Sequence, residues 1–335
     1  MRLRSIILVA AIFMAVGVIF AQDVNRIPTI NGTLRAKYEY QPQVNMGRFQ
    51  VRNARVSVSG LVIRDLGYKA EIDLCDEGKI KMLDAYVRYK PERWSITAGQ
   101  MRVPFTIDAH RSPHNQYFAN RSFIAKQVGN VRDVGLAGSF IILPKYAWTI
   151  EAGVFNNSGL TNQKDFWTNN YYFSAKSYIT FAQRLTLQFS CQRIRPDKTS
   201  IMMWDAGAYY DDKKWHIEGE YLRKNYAGGA FPGVNAVDAF VCRTFPLKKS
   251  LKGISALVRY DFMSDHSNGV SDDEGLLQIT DYQRHRLTGG VTLHFGIKMF
   301  TADLRLNYEK YFYRENAEIG VSDHDKIVAE IMVRF

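Results

Sequence analysis

The chain has 335 residues, a formal net charge of +11, and is 46% hydrophobic and 13% aromatic. Its mean hydropathy of −0.24 excludes a protein built from several membrane-spanning helices. A basic balance suits nucleic acid, an acidic membrane surface or anionic solutes; the basic residues are dispersed along the chain, and the export reading below argues against nucleic acid. Cys75, Cys191 and Cys242 lie far apart without metal-ligand spacing. An odd number excludes a complete disulfide framework, and all three read as small strand residues.

In chain order, the first segment reads as a signal peptide over 1–21. Arg2 and Arg4 precede the apolar run Ile6 to Phe20, and Ala21 precedes the polar Gln22 and Asp23. Ile19, two residues before Ala21, departs from the small residue usual there. An uncleaved anchor is the alternative, but the run falls short of the about 20 residues of a spanning helix. No cysteine follows Ala21, so no lipid anchor is expected.

Residues 22–335 divide into alternating apolar and polar segments near 30–40, 48–61, 67–75, 80–90, 93–102, 132–142, 146–155, 170–180, 184–193, 202–211, 214–223, 235–244, 253–262, 284–295, 299–311 and 325–335. These lengths suit tilted membrane strands of about 9–11 residues. In 301–309, Ala302, Leu304, Leu306 and Tyr308 alternate with Thr301, Asp303, Arg305, Asn307 and Glu309. The stretches 68–75, 215–221 and 286–295 behave alike. The polar face is often charged, and a water-filled lumen accepts that on every strand. The expected fold is all-β: a transmembrane antiparallel up-and-down β-barrel of about sixteen strands.

The connections alternate too. Tight breaks fall at 64–66, 91–92, 143–145, 181–182, 212–213 and 296–297, and longer ones at 103–131, 156–169, 224–234, 263–283 and 312–324. Short turns belong on the periplasmic side. The connection near 76–79 is short for the long side, and 245–252 is long for the short side. In the last segment, Ile327, Ala329, Ile331, Val333 and Phe335 share one face. An apolar face ending in an aromatic residue resembles the closing strand of bacterial outer-membrane barrels. That resemblance implies recognition by the outer-membrane assembly machinery, with Phe335 as the barrel-closing residue.

Four pieces carry a family resemblance: FQVRNARVSVSG at 49–60, LDAYVRYKP at 83–91, GQMRVPFTID at 99–108 and RDVGLAGSF at 132–140. Together, 48–140 resembles the phosphate-selective porin family. The resemblance implies a homotrimeric sixteen-stranded barrel in the outer membrane that passes anions, with its third loop, near 103–131, folded inward to narrow the pore. The candidates for that constriction are Arg102, His110, Arg111, His114, Arg121, Lys126 and Arg132, set against Asp108 and Asp133. A basic ring at a narrow point attracts anions. The family's channels use a lysine-rich loop, whereas this loop has Lys126 alone. The expected lumen also mixes signs, so the expectation is a modest anion preference with phosphate weakly favoured.

Arg55, Lys69, Arg88, Arg259, Arg286 and Arg305 are candidates for the lumen wall. Wall charges are commonly paired and simply hold the wall open; that reading takes the larger share for Lys69, Arg286 and Arg305. The functional reading is stronger for Arg102, Arg111, Arg121 and Lys126, whose sequence neighbourhood is unbalanced. No enzyme motif, metal motif or cofactor is apparent: there is no Gly-x-Ser-x-Gly, Walker loop, Cys-x-x-Cys or His-Glu-x-x-His. Pro113 separates His110 from His114, so the pair reads as part of a solvated loop, and Asp323-His324-Asp325 as a turn. The expected function is a passive channel for small hydrophilic or anionic solutes. The alternatives are an outer-membrane hydrolase and a non-conducting docking or adhesion barrel.

Overall fold

The computed structural model describes residues 27–335 except 77, 129–130, 161–162 and 298–299; the expected signal segment, 1–21, lies outside the described residues. The strands are β1 (Thr29–Gln41), β2 (Met46–Ile63), β3 (Leu66–Asp76), β4 (Lys79–Tyr89), β5 (Trp94–Arg102), β6 (Arg132–Leu143), β7 (Trp148–Phe155), β8 (Tyr172–Phe181), β9 (Leu185–Ile194), β10 (Ile201–Asp211), β11 (Trp215–Tyr226), β12 (Val234–Pro246), β13 (Leu251–Met263), β14 (Arg284–Ile297), β15 (Phe300–Tyr313) and β16 (Lys326–Arg334). Each is antiparallel to the next, and β1 pairs with β16, so the sheet closes on itself. Closure satisfies every strand edge, which a sheet in lipid requires.

The side-chain period of two puts the apolar set outside and the charged set inside. On β15, Leu304, Leu306 and Tyr308 are exposed while Arg305, Asn307 and Glu309 are buried within the barrel. Aromatic residues crowd both ends of the outer belt. Trp94, Phe140, Trp215 and Phe245 lie toward the short turns; Phe49, Tyr221, Tyr260 and Phe312 lie toward the long loops.

Every expected strand is present, with shifts at the ends. β12 runs through Phe245 and Pro246, so the connection expected to be long is only 247–250. Gly296 and Ile297, expected as a turn, belong to β14, and the connection falls at 298–299, outside the described residues. β7 starts at Trp148 because Pro144–Tyr146 forms a 3-10 turn.

One irregularity matters for the lumen. Arg35 pairs with Asn53 and Ala36 with Val51, which leaves Arg52 as an extra residue, a β-bulge. The bulge resets the alternation. Arg48, Gln50 and Arg52 before it share the inner face with Asn53 and Arg55 after it.

Candidate permeation pathway

The connection 103–131 lies inside the barrel, held by hydrogen bonds to strands on several sides of the wall. The Thr106 N–H donates to Ser190 Oγ on β9 at 3.2 Å, and the Ile107 N–H donates to Glu220 on β11. The Ala119 N–H donates to Asn307 Oδ1 on β15 at 2.9 Å, and the Phe123 N–H to Asp261 Oδ1 on β13 at 3.2 Å. From β1, Arg35 Nη2 donates to the Ala119 carbonyl at 2.8 Å. A loop inside a barrel needs such partners, since buried backbone groups without them cost free energy.

Apolar packing sets which wall the loop leans on. Val103, Phe105, Phe123, Ile124 and Val128 form one cluster with Phe155, Ile194, Ile201, Met203, Leu222, Val234 and Met263, which line the inner face of β7 and β9–β13 toward the long loops. Phe123 and Ile124 are 0% exposed, each worth roughly 1.5–3 kcal/mol of burial. They open the short helix α1 (Phe123–Gln127), whose first turn Ser122 caps by accepting from the Ala125 N–H at 3.2 Å. The loop thus leans on the β7–β13 wall toward the long loops; space remains along β1–β3 and β16, and also, toward the short turns, beside β4–β8 and β10–β15.

The expected constriction residues do not form a single ring. Arg102 curls the first part of the loop, its Nη1 donating to the carbonyls of Ala109 at 3.2 Å and His110 at 3.1 Å. Arg111 pairs with Glu218 on β11 and lies 3.3 Å from Asp108. Arg121 braces the loop from within, donating to the carbonyls of Asp108 and Arg111. Arg132 is a wall ion pair with Asp84 at 2.6 Å and Glu71 at 3.3 Å. The sequence neighbourhood therefore overstated the loop's excess charge: Glu218 on β11 compensates Arg111, and Asp84 on β4 with Glu71 on β3 compensates Arg132. Lys126 differs, having no carboxylate partner among the described residues and an exposed side chain.

The histidines are half-buried against loop and wall, and the reading of a simply solvated loop is corrected. Burial, with Lys176 and Arg102 nearby, pushes His110 well below its ordinary value. Burial, with Arg334, also lowers His114. Both are neutral at pH 7. Burial alone would raise the Asp108 carboxyl, but Arg121 and Arg111 outweigh it and hold it down at about 2. Asp108 therefore stays ionised, and it accepts from Ser122 N–H at 3.0 Å and Oγ at 2.9 Å.

Among the wall candidates, Arg55 pairs with Asp73 at 2.8 Å, Lys69 with Glu71 at 2.6 Å and Asp84 at 2.7 Å, and Arg305 with Glu330 at 2.8 Å. Arg88 donates to Thr97 Oγ1 at 2.8 Å. Arg259 and Arg286 clamp the loop: they pair with Asp261 at 2.9 Å each and donate to the carbonyls of Asn120 at 3.0 Å and Arg121 at 2.7 Å. Their guanidiniums lie over the rings of Phe118 at 4.3 Å and Phe123 at 4.6 Å.

The space left along β1 and β2 is strongly basic. A cavity of about 410 Å³ is lined by Arg35, Lys37, Arg48, Arg52, Arg55, Arg121, Lys126 and Lys326, with Glu39 as its one carboxylate among the described residues. Toward the short turns a cavity of about 370 Å³ follows, lined by Asn31, Ser57, Ser59, Lys69, Glu71, His114 and Arg334, and the two share Arg55 and Pro113. Sequence reasoning found Arg55, Arg121 and Lys126 here but missed Arg35, Lys37, Arg48, Arg52 and Lys326. The bulge at Arg52 hides two of them from a strict period of two.

A closed sixteen-strand antiparallel barrel, with an apolar outer belt, a charged lumen and a long loop folded into it, is the architecture of outer-membrane β-barrels of the porin type. Residues 31–176 match the family model of phosphate-selective porins O and P, a longer stretch than the 48–140 that carries the motifs. The structure is similar to the anion-selective porin from Comamonas acidovorans, with a TM-score of 0.66 and 10% identity over 92% of this chain and 99% of that one. It is similar to the outer membrane channel DcaP of Acinetobacter baumannii, with a TM-score of 0.61 and 12% identity over 94% and 99%. It is also similar to OmpT of Vibrio cholerae in its trimer form, with a TM-score of 0.60 and 13% identity over 92% and 98%. At such identities these likenesses establish the fold alone. No curated protein matches.

Proposed function

We propose that this barrel is a passive diffusion channel for small hydrophilic solutes with a modest preference for anions, phosphate being weakly favoured. The observation that carries this reading is the basic cavity beside β1 and β2, where eight cationic side chains meet a single carboxylate. In a narrow passage with low-dielectric walls such a field acts on the ion path, whereas charges on an outer rim are screened within about 8 Å. Guanidinium forks suit oxyanions better than chloride. Most of these guanidiniums already hold carboxylates or carbonyls, however, so the preference is modest. His110 and His114, neutral at pH 7, add polarity rather than charge.

The proposal includes removal of 1–21 before the barrel assembles, insertion by the assembly machinery that reads the strand ending in Phe335, and a homotrimer. The trimer rests on the family resemblance and on the trimer form of the similar OmpT structure. Mass measurement in mild detergent before heating tests it, and a clean monomer removes it. For the channel, purified protein in planar bilayers should give discrete conductance steps and, in a salt gradient, a reversal potential of the sign for anions. A silent bilayer with properly folded protein would remove the channel; a cation-signed potential would remove the preference.

A further inference from the structure

The outer surface carries a second basic cluster that does not face the lumen. Arg193 on β9 and Arg223 on β11 have the lipid-facing parity of their strands, as do Phe189 and Tyr221, exposed by 51% and 44%. Both arginines lie at the long-loop end, Arg193 exposed and Arg223 half-buried, and Arg195 follows, exposed, in the connection 195–200. Arg193 is opposite Met202, and Arg223 is opposite Trp204, on the intervening strand β10. Two strand spacings and two residues separate the arginines, about 12 Å between Cα atoms.

These guanidiniums hold only neutral partners. Arg193 Nη2 donates to Ser200 Oγ at 3.2 Å, and Arg223 donates to Asn225 Oδ1 at 3.1 Å and Asn235 Oδ1 at 2.9 Å. Arg195 Nε donates to the Lys198 carbonyl at 3.0 Å. No ion pair with a described residue neutralises any of the three. Other cations at this end are neutralised: Lys310 pairs with Asp325 at 2.5 Å and Arg314 with Asp265 at 2.9 Å. A Cβ on Gly233 would fall 2.2 Å from Arg223 Nη2, so the glycine leaves room for this guanidinium. Below and between the arginines, Trp204 and Phe189 form an outward aromatic shelf, their ring centroids 6.0 Å apart.

We propose that Arg193, Arg195 and Arg223 form a docking site for a phosphorylated lipid headgroup of the outer leaflet, with Trp204 and Phe189 against its acyl chains. Unpaired cations on a lipid-facing wall are costly at mid-membrane and tolerated at headgroup level. There each complements anionic lipid, and the guanidinium fork matches phosphate oxygens. The aromatic shelf directly beneath commits the site to a lipid rather than to free phosphate.

The test is native mass spectrometry of the detergent-solubilised full chain, titrated with a bisphosphorylated glycolipid, its dephosphorylated counterpart and inorganic phosphate. The bisphosphorylated lipid should bind selectively. Arg193→Gln with Arg223→Gln should bind it roughly thirty-fold more weakly, while Lys310→Gln with Arg314→Gln should bind it as before. Heat-modifiable electrophoretic migration checks that each variant is folded. Wild-type affinity in the folded arginine variant, equal affinity for the dephosphorylated lipid, or displacement of the lipid by inorganic phosphate alone would overturn the proposal.

Discussion

The Glu220 carboxylate on β11 accepts the backbone N–H of Ile107, and its second oxygen lies 3.4 Å from the N–H of Asp108. This wall side chain thus joins Ser190 and Glu218 in holding the first half of the inward loop, while Phe123 and Ile124 anchor the second half by burial. A hydrogen bond of this kind contributes about 0.5–1.5 kcal/mol. Glu220→Ala should loosen the loop near 103–112 and leave α1 docked. Single-channel recordings should then show larger and noisier conductance steps. Unchanged steps from folded protein would mean that Glu220 does not anchor the loop.

The basic cavity allows two substitutions of opposite sign. Lys126→Gln removes a cation with no carboxylate partner among the described residues, so the reversal potential should move toward cations. Glu39→Gln removes the single carboxylate of that cavity, which Lys37 at 2.7 Å and Arg48 at 2.6 Å share, and should move it toward anions. A unit charge about 4 Å from the path acts with about 1 kcal/mol in water, so each change in permeability ratio should be at most roughly fivefold. Arg111→Gln should shift selectivity less, because Glu218 and Asp108 already compensate Arg111. Shifts of the same sign from Lys126→Gln and Glu39→Gln would place the ion path elsewhere.

The strands were legible because each one repeats its inner and outer faces over several turns of the alternation, as Leu304 to Glu309 do. Ion pairs were not, since Arg111 and Glu218 are 107 residues apart and meet only when the loop folds across the barrel. Nor was the apolar inner patch. Ile201, Met202 and Met203 run against any alternation, and the reason, packing of Ile201 and Met203 on the distant loop, is tertiary. The bulge at Arg52 had no local marker; it is set by pairing with β1. The fold was thus written in local periodicity, and the lining of the path in contacts between distant segments.

The seam between first and last strands supplies a stability test. The Gly32 N–H donates to the Phe335 carbonyl at 2.8 Å and the Phe335 N–H returns to Gly32 at 3.2 Å. The Phe335 ring covers Gly32: a Cβ there would lie 2.1 Å from ring Cζ. Gly32→Val should push the ring off the seam without removing any residue that a recognition system would read. We expect the variant to assemble but to lose its compact electrophoretic form at a lower temperature than the parent, as overpacking costs about 1–3 kcal/mol. An unchanged transition would mean that the ring's seat on Gly32 contributes nothing to closure.

The loop 264–283 contains a histidine whose protonation state the geometry fixes. Lys224 Nζ lies 2.8 Å from His266 Nε2, and a lysine ammonium can only donate, so Nε2 accepts and the proton sits on Nδ1, facing Asp281 Oδ2 at 3.2 Å. Burial pushes His266 down from 6.5 to about 4, and Lys224 and Arg284 work in the same direction against Asp281. A base with a lowered folded pKa binds its proton more readily when the loop is released. The docked loop is therefore favoured above pH 6.5 and loses that advantage as pH falls toward 4, where His266 becomes cationic and faces the Lys224 ammonium. Asp281, itself lowered to about 2, remains ionised through this window and does not cause the change. Nicking by pepsin between 264 and 283 should accordingly increase as pH is lowered from 5 to 3. In His266→Gln, whose amide oxygen can accept from Lys224 without titrating, that increase should be absent. Equal pH dependence in the two proteins would remove His266 as the titrating group.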